Sequence, residues 1–166
     1  MNTGDDQISA RHQTDSDIVT YRQTEKIDDL DGLVTLVQRQ MIFIGYQTSL
    51  EEVRQVVHNA MKPTSLAVFF VAYDEARKAI GFAYGNVCCG LECGGDYFWL
   101  NELYVSENHR KTGLGTALLD FVRTWAAKEE CVYMAMVTHP RNTNAQALYA
   151  ENGFDLEDLV WVDTYL

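Results

Sequence analysis

The chain has 166 residues, 47% of them hydrophobic and 22% charged, the mix of a soluble globular protein long enough to fill one core. Thirteen basic residues against 24 acidic ones give a net charge of −11 and a pI near 4.6. That balance excludes a general nucleic-acid binder, which needs a basic surface to displace counterions from phosphates. It also disfavours an anionic membrane surface and suits a cationic small molecule.

Residues 1–17 (MNTGDDQISARHQTDSD) are polar with a single isoleucine and read as a tail ahead of one domain spanning 18–166. No basic segment followed by an apolar one opens the chain, and no apolar run approaches the ~18 residues of a membrane span, so a cytoplasmic protein that contacts no membrane is expected. Cys88, Cys89, Cys93 and Cys131 have neither the spacing of zinc ligands nor that of a disulfide framework, and read as free thiols with no metal site.

Ile18 to Thr24 alternates and predicts a first strand. Ile27, Leu30, Leu33, Val34 and Val37 follow helical spacing over Ile27 to Gln40, and the run Met41 to Tyr46 then breaks at Gly45. Thr48 or Ser49 caps a second helix, with Glu52 three after Ser49 as a capping box requires. That helix turns Val53, Val56, Val57 and Ala60 inward and stops before Pro63. Leu66–Tyr73 and Ile80–Cys89 flank the polar turn Asp74–Lys78 and predict an antiparallel hairpin. Gly90 to Asp96 holds three glycines and reads as a loop. Tyr97 to Val105 predicts a central strand, Val132 to Thr138 another, Asn142 to Asn152 a short helix, and Leu159 to Tyr165 a final strand. The order gives an α/β fold with a mixed sheet: antiparallel hairpins first, a strand–helix–strand crossover later.

Between Val105 and Val122 the chain reads V-S-E-N-H-R-K-T-G-L-G-T-A-L-L-D-F-V. A strand runs through a polar turn to Gly113 and Gly115 and directly into a helix patterned by Leu114, Ala117, Leu118, Phe121, Val122 and Trp125. Glycines there let a ligand approach the backbone, where the helix start presents N–H groups without partners. Dipole and donors together favour a phosphate or pyrophosphate, with Arg110 and Lys111 beside it. The spacing fits neither G-x-x-x-x-G-K-[ST] nor G-x-G-x-x-G, since Leu118 stands at the third glycine position of the latter.

The pattern R-x-x-G-x-G at Arg110, Gly113 and Gly115 instead resembles the acetyl-CoA pyrophosphate loop of the GNAT N-acetyltransferase superfamily. Residues 142–154, N-T-N-A-Q-A-L-Y-A-E-N-G-F, resemble that superfamily's second signature at Asn142, Ala145, Leu148, Tyr149, Gly153 and Phe154. The resemblance covers Phe98 to Leu166 by motif and Ile18 to Tyr97 by element order. It implies a GNAT fold, a central and mostly antiparallel sheet with a splayed strand pair and flanking helices. It also implies acetyl-CoA as cosubstrate without a metal. The backbone of Leu103, Tyr104 and Val105 would hold the pantetheine arm. Arg110 and the N–H groups of Lys111, Thr112, Gly113, Leu114, Gly115 and Thr116 would cradle the pyrophosphate. Asn142, Ala145 and Tyr149 would meet the cofactor from the second signature.

The reaction implied is direct attack of a neutral amine on the thioester. Glu102 is either its base or an ordinary strand glutamate. Tyr149 is either the proton or hydrogen-bond donor to the departing sulfur or a tyrosine that packs against the cofactor. Phe43, Tyr46, Tyr84, Trp99 and Glu102 are candidates for the acceptor pocket, and Glu92 and Asp96 would add acidity to its mouth. This suits a polyamine, an aminoglycoside or an amino-acid-like amine; a peptide acceptor or a non-catalytic acyl-CoA sensor are the alternatives. Family members pair through strand edges or helices, so a homodimer is expected, with Trp161 and Tyr165 on the last strand.

Overall fold

A computed structural model describes residues 17–165. Residues 1–16 of the expected tail lie outside the described residues. The elements are β1 (Asp17–Arg22), α1 (Leu30–Phe43), α2 (Leu50–Ala60), β2 (Ala67–Tyr73), β3 (Ala79–Gly90), β4 (Gly95–Val105), α3 (Leu114–Lys128), β5 (Tyr133–Met136) and α4 (Thr143–Glu151). The five strands lie in chain order in one sheet. β1 to β4 pair antiparallel, and β4 pairs with β5 in parallel after the α3 crossover. The mixed α/β architecture is therefore the one the element order implies.

β2 (AVFFVAY) is buried at every position, as an uninterrupted apolar run requires, because both faces of the sheet are covered. On one face Leu33, Val34 and Leu36 of α1 and Val53 and Val57 of α2 pack on Phe69, Val71, Phe82 and Tyr104. On the other, Phe70 is fully buried and meets Phe98, Phe121 and Trp125 edge-on at 5.8, 6.1 and 5.1 Å. Ser49 caps α2 with the full box: its hydroxyl accepts from Glu52 N–H, and the Glu52 carboxylate accepts from Ser49 N–H.

Several boundaries differ from those the sequence predicts. α1 starts at Leu30 because Asp29 caps it, accepting from Gly32 N–H at 3.2 Å and from Ala79 N–H at 3.0 Å, so the cap also ties the helix to β3. Val56 is 57% exposed, since Val53, Val57 and Ala60 alone make the narrow stripe this short helix buries. β3 reaches Gly90 and β4 begins at Gly95, which shortens the expected loop. The expected strand Leu159–Tyr165 is irregular, with Val160 88% exposed; its alternation supplies strand propensity, but it pairs with no strand among the described residues.

Two features of β4 shape the groove beside it. Tyr84 pairs with Glu102 but Gly85 pairs with Leu100, so Asn101 is an extra residue, a β-bulge. Gly85 is obligatory opposite it, because a Cβ there would lie 2.3 Å from the Trp99 carbonyl. The bulge changes the strand's face alternation: Leu100 and Leu103 pack on the α3 side, Glu102 and Tyr104 on the α1 side. The parallel ladder to β5 covers only Tyr97 to Leu100. Beyond it Asn101–Val105 continue with β3 alone, so β4 and β5 part and leave a wedge along one edge of β4.

Candidate active site

The turn after β4 is built from its own side chains. His109 Nδ1 and Ser106 Oγ are 2.8 Å apart, Thr112 Oγ1 donates to the His109 carbonyl at 2.7 Å, and a short 3-10 turn spans Glu107–His109. Lys111 (φ 62°) and Gly113 (φ 89°) are left-handed, a conformation that turns successive N–H groups to one side. The first N–H bonded within α3 is that of Ala117, to the Gly113 carbonyl. Among the described residues, the N–H groups of Lys111 to Thr116 meet no backbone acceptor. This is a longer run of free donors than the four a helix start leaves, and it meets the requirement for holding a pyrophosphate. Gly115 packs under Leu148, where an added Cβ would already be in contact at 3.4 Å.

Arg110 is the exception within this loop. Its Nε donates to the Val105 carbonyl at 3.0 Å, and its guanidinium lies over Tyr104 at 5.4 Å and Phe43 at 5.9 Å. The side chain folds back to fasten the loop to the end of β4, and it takes a carbonyl that the resemblance assigns to the pantetheine arm. Arg39, Ile42, Phe43, Tyr104 and Arg110 line a cavity of about 560 Å³ beside the turn.

Glu102 stands at the head of the wedge on the α1 side. Its Oε2 accepts a hydrogen bond from Gln40 Nε2 at 2.7 Å. Burial pushes its carboxyl above the ordinary value, and the Gln40 bond opposes that shift. Its charge reaches three tyrosines from three other elements: Tyr84 on β3, Tyr149 on α4 and Tyr46 on the α1–α2 connection. Tyr149 is 8% exposed, and burial together with Glu102 pushes its hydroxyl up to about 12. Glu102 and Tyr149, the two residues singled out for proton chemistry, thus come within electrostatic reach although 47 positions apart in the chain.

The second signature explains how Tyr149 is held. Asn142 Oδ1 accepts from Ala145 N–H at 3.3 Å, so its side chain caps α4. Gly153 takes φ 79°, and Phe154 N–H returns to the Tyr149 carbonyl at 3.0 Å, closing the helix in a Schellman turn. Phe154 then rests on the Tyr149 ring at 6.0 Å. Ala145 joins the same apolar cluster.

The remaining expectations divide. Tyr84 is the cross-strand partner of Glu102, with its ring 4.6 Å from Phe69. Trp99 is half-buried on β4 before the bulge. Phe43, the last residue of α1, is 62% exposed, and Tyr46 is 54% exposed on the connection that follows, which Gln38 braces by donating to the Thr48 carbonyl at 2.8 Å. The Tyr46 hydroxyl is pushed up first by a hydrogen bond with Tyr165, then by burial and the charges of Asp163 and Glu102. Glu92 and Asp96 do not join this group. They lie at the far end of the β3–β4 hairpin, where Cys89 pairs with Asp96, about 20 Å along the strand at ~3.3 Å per residue. Gln40, the hydrogen-bond partner of Glu102, is a contact that sequence reasoning misses. Its signal is a polar residue on the apolar stripe of Leu33 and Leu36, and it is 8% exposed. No helix is long and apolar enough to cross a membrane among the described residues.

The sequence profile of the acetyltransferase (GNAT) family matches residues 31–154. An aminoglycoside N(6')-acetyltransferase type 1 from Serratia marcescens is 29% identical over 107 residues, covering 62% of this chain and 69% of that protein. Among solved structures, AAC(6')-Iy in complex with the bisubstrate analogue CoA-S-monomethyl-acetylneamine has a TM-score of 0.72 at 20% identity, covering 92% of this chain and all of that one. The ribosomal-protein-alanine N-acetyltransferase of Brucella melitensis biovar Abortus 2308 has a TM-score of 0.74 at 14% identity, covering 90% and 99%. At these identities the two structures speak to the fold alone. Taken with the profile, the glycine turn, the wedge and the α4 signature, they show that the chain belongs to the acetyltransferase (GNAT) family of acetyl-CoA-dependent N-acetyltransferases.

Proposed function

We propose that residues 18–166 form a single acetyltransferase domain that moves the acetyl group of acetyl-CoA to a primary amine of a small cationic molecule, of the aminoglycoside or polyamine kind. The observation that carries this reading is the run of free N–H groups from Lys111 to Thr116 after β4, with Gly115 packed under Leu148 of α4, the helix that holds Tyr149; the charge of Glu102 on β4 reaches the Tyr149 hydroxyl. The N–H run holds the pyrophosphate, and the open edge of β4 around Leu103 supplies backbone bonds for the pantetheine arm. A backbone N–H near Leu103 stabilises the carbonyl oxygen as charge develops on it. The neutral amine attacks the thioester carbon, the C–S bond breaks, and CoA leaves as thiolate. Glu102 accepts the proton the amine sheds, directly or through water, and Tyr149 donates a hydrogen bond to the departing sulfur.

A small cationic acceptor is supported by the acidity of the chain, by Glu102 and Asp163 near Tyr46, and by the aminoglycoside acetyltransferases among its relatives. The test is CoA release measured across neamine, spermidine, lysine and an alanine-initiated peptide. Turnover of neamine or spermidine at least tenfold above the peptide is expected. Preference for the peptide would establish the protein-acetylating alternative, and no turnover with intact acetyl-CoA binding would establish a sensor.

The same reading includes a homodimer. β5 is one of the two edge strands of the sheet, with Tyr133 in it and Val132 and Val137 beside it exposed, and an open edge invites cover. Light scattering is expected to give twice the 18.9 kDa of one chain, and the monomer mass at working concentration would refute it.

A further inference from the structure

We infer that Gln40 is a positioning residue for Glu102: its amide occupies Oε2 and thereby fixes the plane of the carboxylate and presents Oε1 to the acceptor amine. The inference rests on the reading of Glu102 as the base. Gln40 lies in the last turn of α1, and its main-chain carbonyl accepts from Ile44 N–H at 3.0 Å in the cap of that helix. Its backbone is therefore fixed where the α1–α2 connection begins. The side chain crosses to β4 and donates to Glu102 at 2.7 Å, a short bond of the charge-assisted kind. It is the buried polar residue of the described core, on the buried stripe of Leu33, Val34 and Leu36.

A polar side chain at such a position costs packing energy unless its bond is made, which argues that the bond is its purpose. Oε1 of Glu102 has no hydrogen-bond partner among the described residues, yet no buried side-chain oxygen is left without one. Oε1 therefore keeps access to solvent.

The chemistry explains why the donor is an amide. An arginine or lysine here would form an ion pair and make the carboxylate too weak a base for an ammonium proton. An aliphatic residue would leave burial unopposed and hold the carboxyl protonated. A neutral donor lies between the two. The groups facing Glu102 from the other elements are Tyr84, Tyr149 and Tyr46, each of which keeps its proton more firmly than an ordinary tyrosine and so adds no charge of its own. Arg39 and Arg110 line the neighbouring cavity, and neither hydrogen-bonds to Glu102. Among the described residues, Gln40 is thus the group that opposes burial at the base.

The experiment compares the full chain with Gln40→Met, which keeps length and helix preference while removing the donor. The carboxyl carbon of Glu102, identified by its absence in Glu102→Gln, is titrated by 13C NMR. In parallel, kcat/KM with acetyl-CoA and neamine is followed from pH 5 to 9. Loss of a bond to the ionised form should move the Glu102 midpoint and the acid limb of kcat/KM upward together by about one unit. That lowers the rate on the acid side about tenfold, while acetyl-CoA affinity by calorimetry stays within twofold. Should Gln40→Met fail to fold, Gln40→Ala is read the same way. A midpoint that stays in place, beside an inactive Glu102→Gln, would overturn the inference and leave the base in place. A Glu102→Gln enzyme with wild-type turnover would overturn the base, and the inference with it.

Discussion

Gly113→Val is expected to abolish acetyl-CoA binding, at least a hundredfold loss of affinity by calorimetry. Gly113 sits at φ 89° immediately before α3 and turns the run of N–H groups from Lys111 to Thr116 toward one side. A β-branched residue is all but excluded from that region, so the substitution both rearranges the turn and fills the space in front of the donors. The loss of a few charge-assisted bonds, at roughly 1.5–3 kcal/mol each, accounts for the size of the effect. Because the same strain could loosen α3, Gly113→Asn is the companion variant. Asparagine tolerates the left-handed region, so its turn should survive while its side chain still crowds the phosphate. Thermal melting near wild type in Gly113→Asn with weakened binding would assign the defect to the ligand. Unchanged acetyl-CoA affinity in Gly113→Val would refute the loop assignment.

Strong local chemistry is the most legible part of this sequence. Ser49 with Glu52, the uninterrupted run Ala67–Tyr73, and glycines opening a patterned helix each have one economical physical solution, and the fold adopts it. What escapes depends on partners distant in sequence. The bulge at Asn101 decides that Glu102 faces α1, and its trace is a slip in apolar spacing from Phe98 and Leu100 to Leu103. The obligatory Gly85 opposite has no meaning until Trp99 is seen beside it. Gln40 looks like the polar end of a helix and is in fact its buried contact with Glu102. Arg110 fits a phosphate-loop pattern by spacing, yet it spends its donor on Val105 and its plane on Phe43 and Tyr104. The alternation of Leu159 to Tyr165 marks a preference for strand, but a strand also needs an edge to join, and that lies outside any local pattern.

Glu102→Gln and Tyr149→Phe should separate the two ends of the proton path by size and by pH. Glu102 must be ionised to accept a proton, and burial raises its carboxyl above the ordinary value. kcat/KM therefore falls as pH drops through that raised value, and Glu102→Gln should lower turnover on the order of 10²–10³-fold and abolish this limb. The variant should not melt earlier. The folded chain holds this proton more tightly than the unfolded one, so ionising it above the ordinary carboxyl range costs stability. The amide removes that cost, and the melting temperature at pH 7 should stay level or rise. Tyr149 holds its proton up to about 12, so it remains a donor throughout any practical pH range and contributes no basic limb. Full transfer of that proton to a thiolate, whose conjugate acid lies near ~8.5, would run uphill by about 5 kcal/mol. The phenol is therefore expected to stabilise the leaving sulfur by a hydrogen bond and not to protonate it outright. A bond of that kind to a charged group is worth about 1.5–3 kcal/mol, so Tyr149→Phe should cost roughly 10- to 100-fold in turnover with acetyl-CoA affinity nearly intact. An acetyl donor carrying a better thiolate leaving group should narrow the Tyr149→Phe deficit and leave the Glu102→Gln deficit unchanged. A deficit in Tyr149→Phe that is the same for both donors would remove the tyrosine from the chemistry and leave it the packing partner of Phe154.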